Sequence, residues 1–279
     1  MSHRSPLLEA LTEVGGEAPA SFSRFDALVR GDGPPPSFEE YSAWMGGELR
    51  PWRETCYFDA TPSGEMISLA NTRFESIVAA LGVSIPKEFW RVLSEGGAHA
   101  PAVRQVVLGI EAEPSLRLKY YLVFRGPAAQ TVEAFRAAVG APELPPSLDT
   151  SSMCILGLDF NASGLHDFKV YVRLDAKRLP RVIGNFTAFR TLVLGCRYLV
   201  FQQCVHSQRR QVYFHSASAE LLEGRLPLDP KLRAMMTTMN ERLDAAGAGI
   251  LRPWIASYVY ERRALHPTPA NVYFHYLRK

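Results

Sequence analysis

From residue 103 onward, apolar and polar positions alternate in short runs that come in pairs. Residues 103–111 and 116–124 form one pair, 153–160 and 168–174 a second, 197–205 and 211–216 a third, and 251–260 with 271–277 a fourth. Alternation of this length predicts β-strands. Glu113-Pro114-Ser115 and Asn161-Ala162-Ser163-Gly164 supply turn chemistry between partners. Upstream, 54–60 and 65–73, joined through Thr61-Pro62-Ser63-Gly64, read as another hairpin. Ser37 followed by Glu40 matches a capping box and predicts a helix through about Trp44. Between the pairs the apolar period lengthens, predicting helices over 74–81, 86–93 and 179–189, and one carrying Val132, Phe135 and Val139 before Gly140. The clearest helix follows Asp229-Pro230, with Leu232, Met235, Met236, Met239 and Leu243 on one face before Gly247.

The five predicted hairpins begin near residues 54, 103, 153, 197 and 251, an internal repeat of about fifty residues built as strand, strand, helix. Two units keep an echo, Leu108-Gly109-Ile110-Glu111 and Leu156-Gly157-Leu158-Asp159. Ten strands with helices between them make either an open sheet covered on one face or a closed barrel inside a ring of helices. Closure removes both unprotected edges. The expectation is therefore an α+β chain with one domain over 1–279. It comprises a helical segment, 1–50, and five ββα repeats, 51–279, closed as a ten-stranded antiparallel barrel.

Strand parity sorts the polar residues. Arg117, Lys119 and Tyr121 share a face, as do Lys169, Tyr171 and Arg173, then Gln211, Tyr213 and His215, then Asn271, Tyr273 and His275. Their alternates, Val170, Val172, Val212, Phe214, Val272 and Phe274 among them, are apolar and belong against the helices. Arg73 closes the second strand predicted for the first unit. A solvated sheet face usually mixes Thr, Ser, Glu and Lys. Four strands carrying bases and tyrosines instead point equally well to a barrel lumen. Guanidinium and ammonium groups bind a diphosphate through charge-assisted hydrogen bonds. Tyrosine faces stabilise a carbocation by about 0.5–2 kcal/mol per contact. Together they suit ionisation of an allylic diphosphate, a reaction that also wants a base; Glu54, opening the first predicted strand, is the candidate.

Composition adds exclusions. At 47% hydrophobic and 21% charged, the 279-residue chain is neither disordered nor a disulfide scaffold. Its net charge of +3 gives no global argument for nucleic acid or membrane. Residues 1–11 do not read as a secretory leader, and no apolar run is long enough to span a bilayer. Cys56, Cys154, Cys196 and Cys204 are scattered, without a CxxC pair, and are expected to be reduced thiols of a cytoplasmic protein. Arg209-Arg210 and Arg262-Arg263 read as solvated turn residues. The chain contains no DDxxD motif of the kind that holds magnesium in all-helical isoprenyl diphosphate synthases.

Taken in order, Val107-Leu108-Gly109-Ile110-Glu111 with Ser115-Leu116-Arg117-Leu118-Lys119, Gly157-Leu158-Asp159-Phe160 with Phe168-Lys169-Val170-Tyr171, Gln211-Val212-Tyr213-Phe214-His215 and Asn271-Val272-Tyr273-Phe274-His275-Tyr276 resemble the ABBA-type aromatic prenyltransferases. The closer likeness is to their cyanobactin-type peptide branch, over roughly residues 45–279. That resemblance implies a prenyl diphosphate in the lumen and Glu54 as catalytic base, ahead of a strand ending Thr72-Arg73-Phe74. Arg73, Arg117, Lys119, Tyr121, Lys169, Tyr171, Arg173, Tyr213 and Tyr273 fall at diphosphate-binding and cation-shielding positions, and His215 and His275 at acceptor or lumen positions. It also implies magnesium with the diphosphate and, because the chain ends just after its last strand, a peptide acceptor that plugs the mouth. The acceptor is expected to be a cyclic, ribosomally made peptide receiving a dimethylallyl or geranyl group. The alternatives are prenylation of a small phenol or indole and, from another class, a non-catalytic carrier of an amphipathic anion. Leu199, Val200 and Phe201 are candidates for the lumen floor.

Overall fold

The computed structural model describes residues 6–44, 52–61, 64–95, 102–145, 148, 150–175, 177, 179–224, 226 and 230–278. Its helices α1 (Pro6–Gly15) and α2 (Ala20–Arg30) precede the strands β1 (Phe38–Trp44) and β2 (Arg53–Asp59). There follow α3 (Glu65–Leu81), α4 (Lys87–Ser94), β3 (Val103–Glu111), β4 (Arg117–Phe124), α5 (Ala129–Ala138), β5 (Met153–Asn161) and β6 (Gly164–Leu174). The second half contains α6 (Leu179–Val182), α7 (Phe186–Leu194), β7 (Cys196–Cys204), β8 (Arg210–Ser216), α8 (Ala219–Glu223) and α9 (Pro230–Ala245). It ends with β9 (Gly249–Glu261), the two-residue β10 (Ala264–Leu265) and β11 (Asn271–Arg278).

Each long strand pairs antiparallel with its neighbours, and β9 pairs with both β8 and β11 while β11 pairs with β1. The sheet thus closes on itself: a ten-stranded antiparallel barrel, with β10 as a small flap on β9. Closure follows from the pattern. On most strands the outward-facing alternate residues are apolar, so the barrel wall and the helices share one core. Phe74 and Phe89 from the helices meet Tyr120 and Phe160 from the wall at ring separations of 4.9–6.4 Å. The stripe of α9 buries Leu232, Met235, Met236, Met239 and Leu243, as the sequence predicts; its expected cap, Asp229, lies outside the described residues. No helix among the described residues is long and apolar enough to cross a membrane.

The first unit differs from expectation, and the difference matters for the site. Residues 38–44 are a strand, not a capped helix. The Ser37 hydroxyl accepts from the Asp59 amide at 3.0 Å, and the Ser37 amide donates to Tyr57 O, so this serine ties β1 to β2 instead of opening a helix. Residues 65–73, expected as the partner of β2, begin α3. Gly64, at φ 73°, makes the turn into it, and Ala70, Phe74, Ile77 and Val78 fall on one buried helical face. The N-terminal segment therefore contributes a wall strand, and the first hairpin pairs β1 with β2.

Candidate active site

The lumen encloses a cavity of about 380 Å³. Its lining changes character along the barrel axis because neighbouring strands deliver like residues at like heights. One end, where β2, β4, β6, β8 and β11 start, is charged. The middle is a belt of tyrosines. The other end is aromatic.

At the charged end stand Arg53, Arg117, Lys119 and Lys169 with the carboxylates Glu111 and Asp159. Glu111 accepts from Arg117 Nη2 at 2.6 Å and Lys119 Nζ at 3.0 Å and lies 3.3 Å from Arg53 Nε; Asp159 pairs with Lys169. Burial alone would raise Glu111, but Lys119, Arg53 and Arg117 outweigh it and hold the group well below the usual carboxylate range. Lys119 is pushed down to about 8 by burial and by Arg53. Both carboxylates come from the Leu-Gly-Ile-Glu and Leu-Gly-Leu-Asp echo. In each copy the glycine opens space two residues before the acid. A Cβ on Gly157 would sit 2.5 and 2.6 Å from the Tyr121 ring, and one on Gly109 would sit 2.6 Å from Thr55 Cγ2. Gly157→Ala is therefore expected to displace Tyr121 and to lower turnover more than it lowers the melting temperature, checked by steady-state kinetics beside thermal melting.

The belt consists of Tyr121, Tyr171, Tyr213 and Tyr273, successive rings being 6.2, 5.7 and 5.8 Å apart. Burial raises the pKa of Tyr121, Tyr171 and Tyr213, so these rings face the lumen as neutral phenols. Val200 and Ile255 pack among them and give the belt an apolar side. Of the candidate floor residues, Val200 faces inward; Leu199 belongs to the core outside.

At the aromatic end, Trp254 stacks on His275 at 4.8 Å, Tyr198 on His215 at 4.2 Å and Phe38 on Tyr57 at 3.8 Å. Burial holds His215 and His275 neutral at physiological pH, down to about 3 and about 4. Arg173 lies here, its guanidinium 5.2 Å from the Tyr198 ring centre, and so stands at the mouth and away from the charged end. Between this end and the belt sits Glu40. Its Oε1 accepts from Thr55 Oγ1 at 3.1 Å and Tyr57 Oη at 3.2 Å, while Oε2 has no hydrogen-bond partner among the described residues and lies 3.8 Å from His275 Nε2. Burial raises Glu40 to about 7, against the pull of Thr55 and Tyr57.

Two predicted site residues lie elsewhere. Glu54 borders the cavity, but its carboxylate turns outward with Cys56 and Phe58 and accepts from Arg30 Nη2 of α2 at 2.6 Å. On β2 the lumen face is Arg53, Thr55 and Tyr57. Arg73 is on α3, outside the barrel, where it donates to the Gly31, Asp32 and Pro34 carbonyls at 3.0–3.1 Å and pins the turn before β1. Apart from Arg173, which stands at the mouth, the other predicted bases and tyrosines line the lumen together with His215 and Asn271, and His275 lies beside Glu40. Reading residues 38–44 as a helix hid Glu40. The strand face Glu54-Cys56-Phe58, two of its three residues apolar, was the available sign that Arg53 and not Glu54 points inward.

The magnesium expectation meets an unsuitable donor set. Glu111 and Asp159 are committed to four bases, and no group of three or more ligating side chains occurs among the described residues.

No protein-family model and no curated protein sequence matches the chain. Solved structures do. The 5-dimethylallyltryptophan synthase from Streptomyces coelicolor superposes over 98% of this chain and 95% of its own, with TM-score 0.58 and 14% identity. The 6-dimethylallyltryptophan synthase from Micromonospora olivasterospora, in complex with DMASPP and Trp, covers 96% and 95% at TM-score 0.60 and 16% identity. PriB in binary complex with product diphosphate covers 96% and 94% at 0.56 and 15%. The fold is the ABBA prenyltransferase barrel. At such identity the likeness fixes the ABBA architecture, and the chemistry must be argued from the lumen.

Proposed function

We propose that the protein is a prenyltransferase that moves a dimethylallyl group from its diphosphate to the aromatic ring of an acceptor. The supporting observation is the order of groups along one lumen: bases, then a tyrosine belt, then a buried carboxylate with a free oxygen among aromatic rings. The donor diphosphate lies at the charged end, held by Arg53, Arg117, Lys119 and Lys169. Its C1–O bond breaks, the electron pair stays on the diphosphate oxygen, and the four bases stabilise the charge that develops there. The allylic cation faces the tyrosine belt, whose ring quadrupoles stabilise it and whose closure excludes water that would quench it. The acceptor ring attacks from the aromatic end, and the proton displaced from the ring passes to Glu40 Oε2.

The cavity of about 380 Å³ is near the low end of ligand sites, about 300–1,000 Å³, and must hold donor and acceptor ring together, which favours the C5 donor over geranyl. The named neighbours act on tryptophan, so an indole is the acceptor ring of choice, and a small acceptor fits the cavity at least as well as a peptide residue. Because Glu40 must be ionised to accept the proton, turnover with dimethylallyl diphosphate and L-tryptophan is expected to rise with pH through about 7. A rate–pH profile checks this. A flat profile between pH 5 and 9 removes Glu40 from the proton step.

A further inference from the structure

The charged end of the lumen opens to solvent. Among the described residues that line the cavity, His166, Ser207 and Arg209 are exposed, and all three stand at this end, where β6 and β8 begin. The opening lies beside the turn between β7 and β8, and that turn is fixed to β6. The buried Asp167 carboxylate accepts from the His206 amide at 3.1 Å and the Ser207 hydroxyl at 2.6 Å. The Val205 amide donates to Phe168 O at 2.8 Å. Gln208, at φ 55°, turns the chain back, and the Cys204 amide closes the turn on Arg209 O at 2.8 Å.

This turn presents a cation that the inner network does not use. Of the two arginines read from the sequence as solvated turn residues, Arg210 donates to Gln203 Oε1 at 2.9 Å. Arg209 lines the cavity, and its guanidinium has no hydrogen bond or ion pair among the described residues. Arg117 faces both ways: its Nη2 donates to Glu111 at 2.6 Å, while its Nη1 lies 3.5 Å from His166 Nε2. Deeper in, Arg53, Lys119 and Lys169 pair with Glu111 and Asp159. Positive groups therefore run from the interior to the surface at this end. The opposite way leads through the belt, where Tyr121, Tyr171, Tyr213 and Tyr273 stand with Val200 and Ile255 among them and no base. Moving a multiply charged anion past these rings strips its water without supplying an opposite charge, which is costly. The alkylated acceptor also stands on that side.

We propose that this opening is the port by which the diphosphate group enters with the donor and leaves as product, with Arg209 and His166 as an outer anion-binding station on the way. The inference rests on the prenyl-transfer reading and deepens it, since it assigns donor and acceptor separate doors. The donor enters tail first: its apolar C5 group passes on to the tyrosine belt, and its diphosphate stops at the bases. After transfer, the diphosphate steps outward from Lys119 and Lys169 to Arg117, His166 and Arg209, and so to solvent, while the alkylated product still occupies the aromatic end. Release of one product does not wait for the other.

The test is the rate at which ³²P-labelled inorganic diphosphate binds, measured by rapid mixing and filter capture, in charge-altered variants. Arg209→Glu and Arg173→Glu change the net charge equally but at opposite ends of the barrel, and both side chains are exposed. Arg209→Glu is expected to slow association at least about tenfold, the lower bound of electrostatic steering, with the difference shrinking as salt rises. Arg173→Glu, at the far end and screened by salt, is expected to change the rate less than about threefold. His166→Glu, on a different strand, is expected to act in the same direction as Arg209→Glu, so the test does not hang on the folding of one variant. Equal effects at the two ends, or a larger one from Arg173→Glu, overturn the proposal, as does a wild type that captures no diphosphate. Failure of the prenyl-transfer reading shows separately, as absence of alkylated product from dimethylallyl diphosphate and L-tryptophan in a wild type that takes up diphosphate by the charged end.

Discussion

Replacing Glu40 with glutamine is expected to lower turnover by about 10²–10⁴-fold, the range for loss of a positioned general base. Glutamine keeps the volume and still accepts from Thr55 and Tyr57, so the lumen should hold its shape and donor affinity should change little. Glu54→Gln provides the contrast. That carboxylate is buried against Arg30 between β2 and α2, so its loss should appear in the melting temperature and not in the chemical step. Single-turnover kinetics of both variants beside thermal melting separates the roles. A large loss of turnover in Glu54→Gln with a normal Glu40→Gln contradicts the assignment. The pH behaviour of stability has a definite sign as well. Burial raises Glu40 and Glu54, so the folded state holds these protons more tightly than the unfolded chain does. The contribution of Glu40 is complete below the ordinary carboxylate range and is lost as pH rises through about 7.

The second large effect is expected at Glu111. It sits among Arg53, Arg117 and Lys119, and Glu111→Gln leaves three cations at the buried end of the lumen with one fewer counter-charge. Breaking a buried pair by removing one partner costs about 3–5 kcal/mol. The empty variant should therefore melt well below the wild type. Inorganic diphosphate should recover much of that loss, because it supplies the missing negative charge to the same bases, and the stabilisation should exceed that of the wild type at equal ligand concentration. Thermal melting with and without diphosphate checks this. Equal shifts in both proteins would mean that the anion binds elsewhere. The same network explains why the buried end of the lumen tolerates four bases: Glu111 and Asp159 neutralise part of their charge.

The sequence carried most of the architecture from β3 onward, where runs of seven or more alternating residues leave one parity open. Parity alone puts Lys119, Tyr121, Lys169, Tyr171, Tyr213 and Tyr273 on one face of their strands, and that face lines the lumen. It failed in the first unit for a physical reason. The segment Phe38-Glu39-Glu40-Tyr41-Ser42-Ala43-Trp44 is too short to tell a period of two from one of 3.6, and the Ser37–Glu40 spacing suits a helix cap as well as a strand. Pairing with β11, hundreds of residues away in sequence, makes it a strand. Cutting α3 at Arg73 similarly broke up a helical stripe that is plain only over its full length. Those two errors moved Arg73 into the lumen and hid Glu40. Within β2, apolar Cys56 and Phe58 already marked the outward face, and Glu54 shares it. The echo around Gly109 and Gly157 was visible as repetition, but its use, acids that order the bases and glycines that make room for Tyr121 and Thr55, requires the register of β3 against β4 and of β4 against β5.

The central claim is that donor ionisation and acceptor alkylation occur in one lumen. The direct measurement is the stoichiometry of diphosphate released to prenylated product formed, by coupled phosphate assay and mass spectrometry, with dimethylallyl diphosphate and a tryptophan-bearing acceptor. The expected result is one diphosphate per acceptor gaining one dimethylallyl unit, with both signals lost together in Glu40→Gln. Diphosphate release without an alkylated acceptor would make the protein a hydrolase, and donor binding without release would make it a carrier; either result contradicts the account.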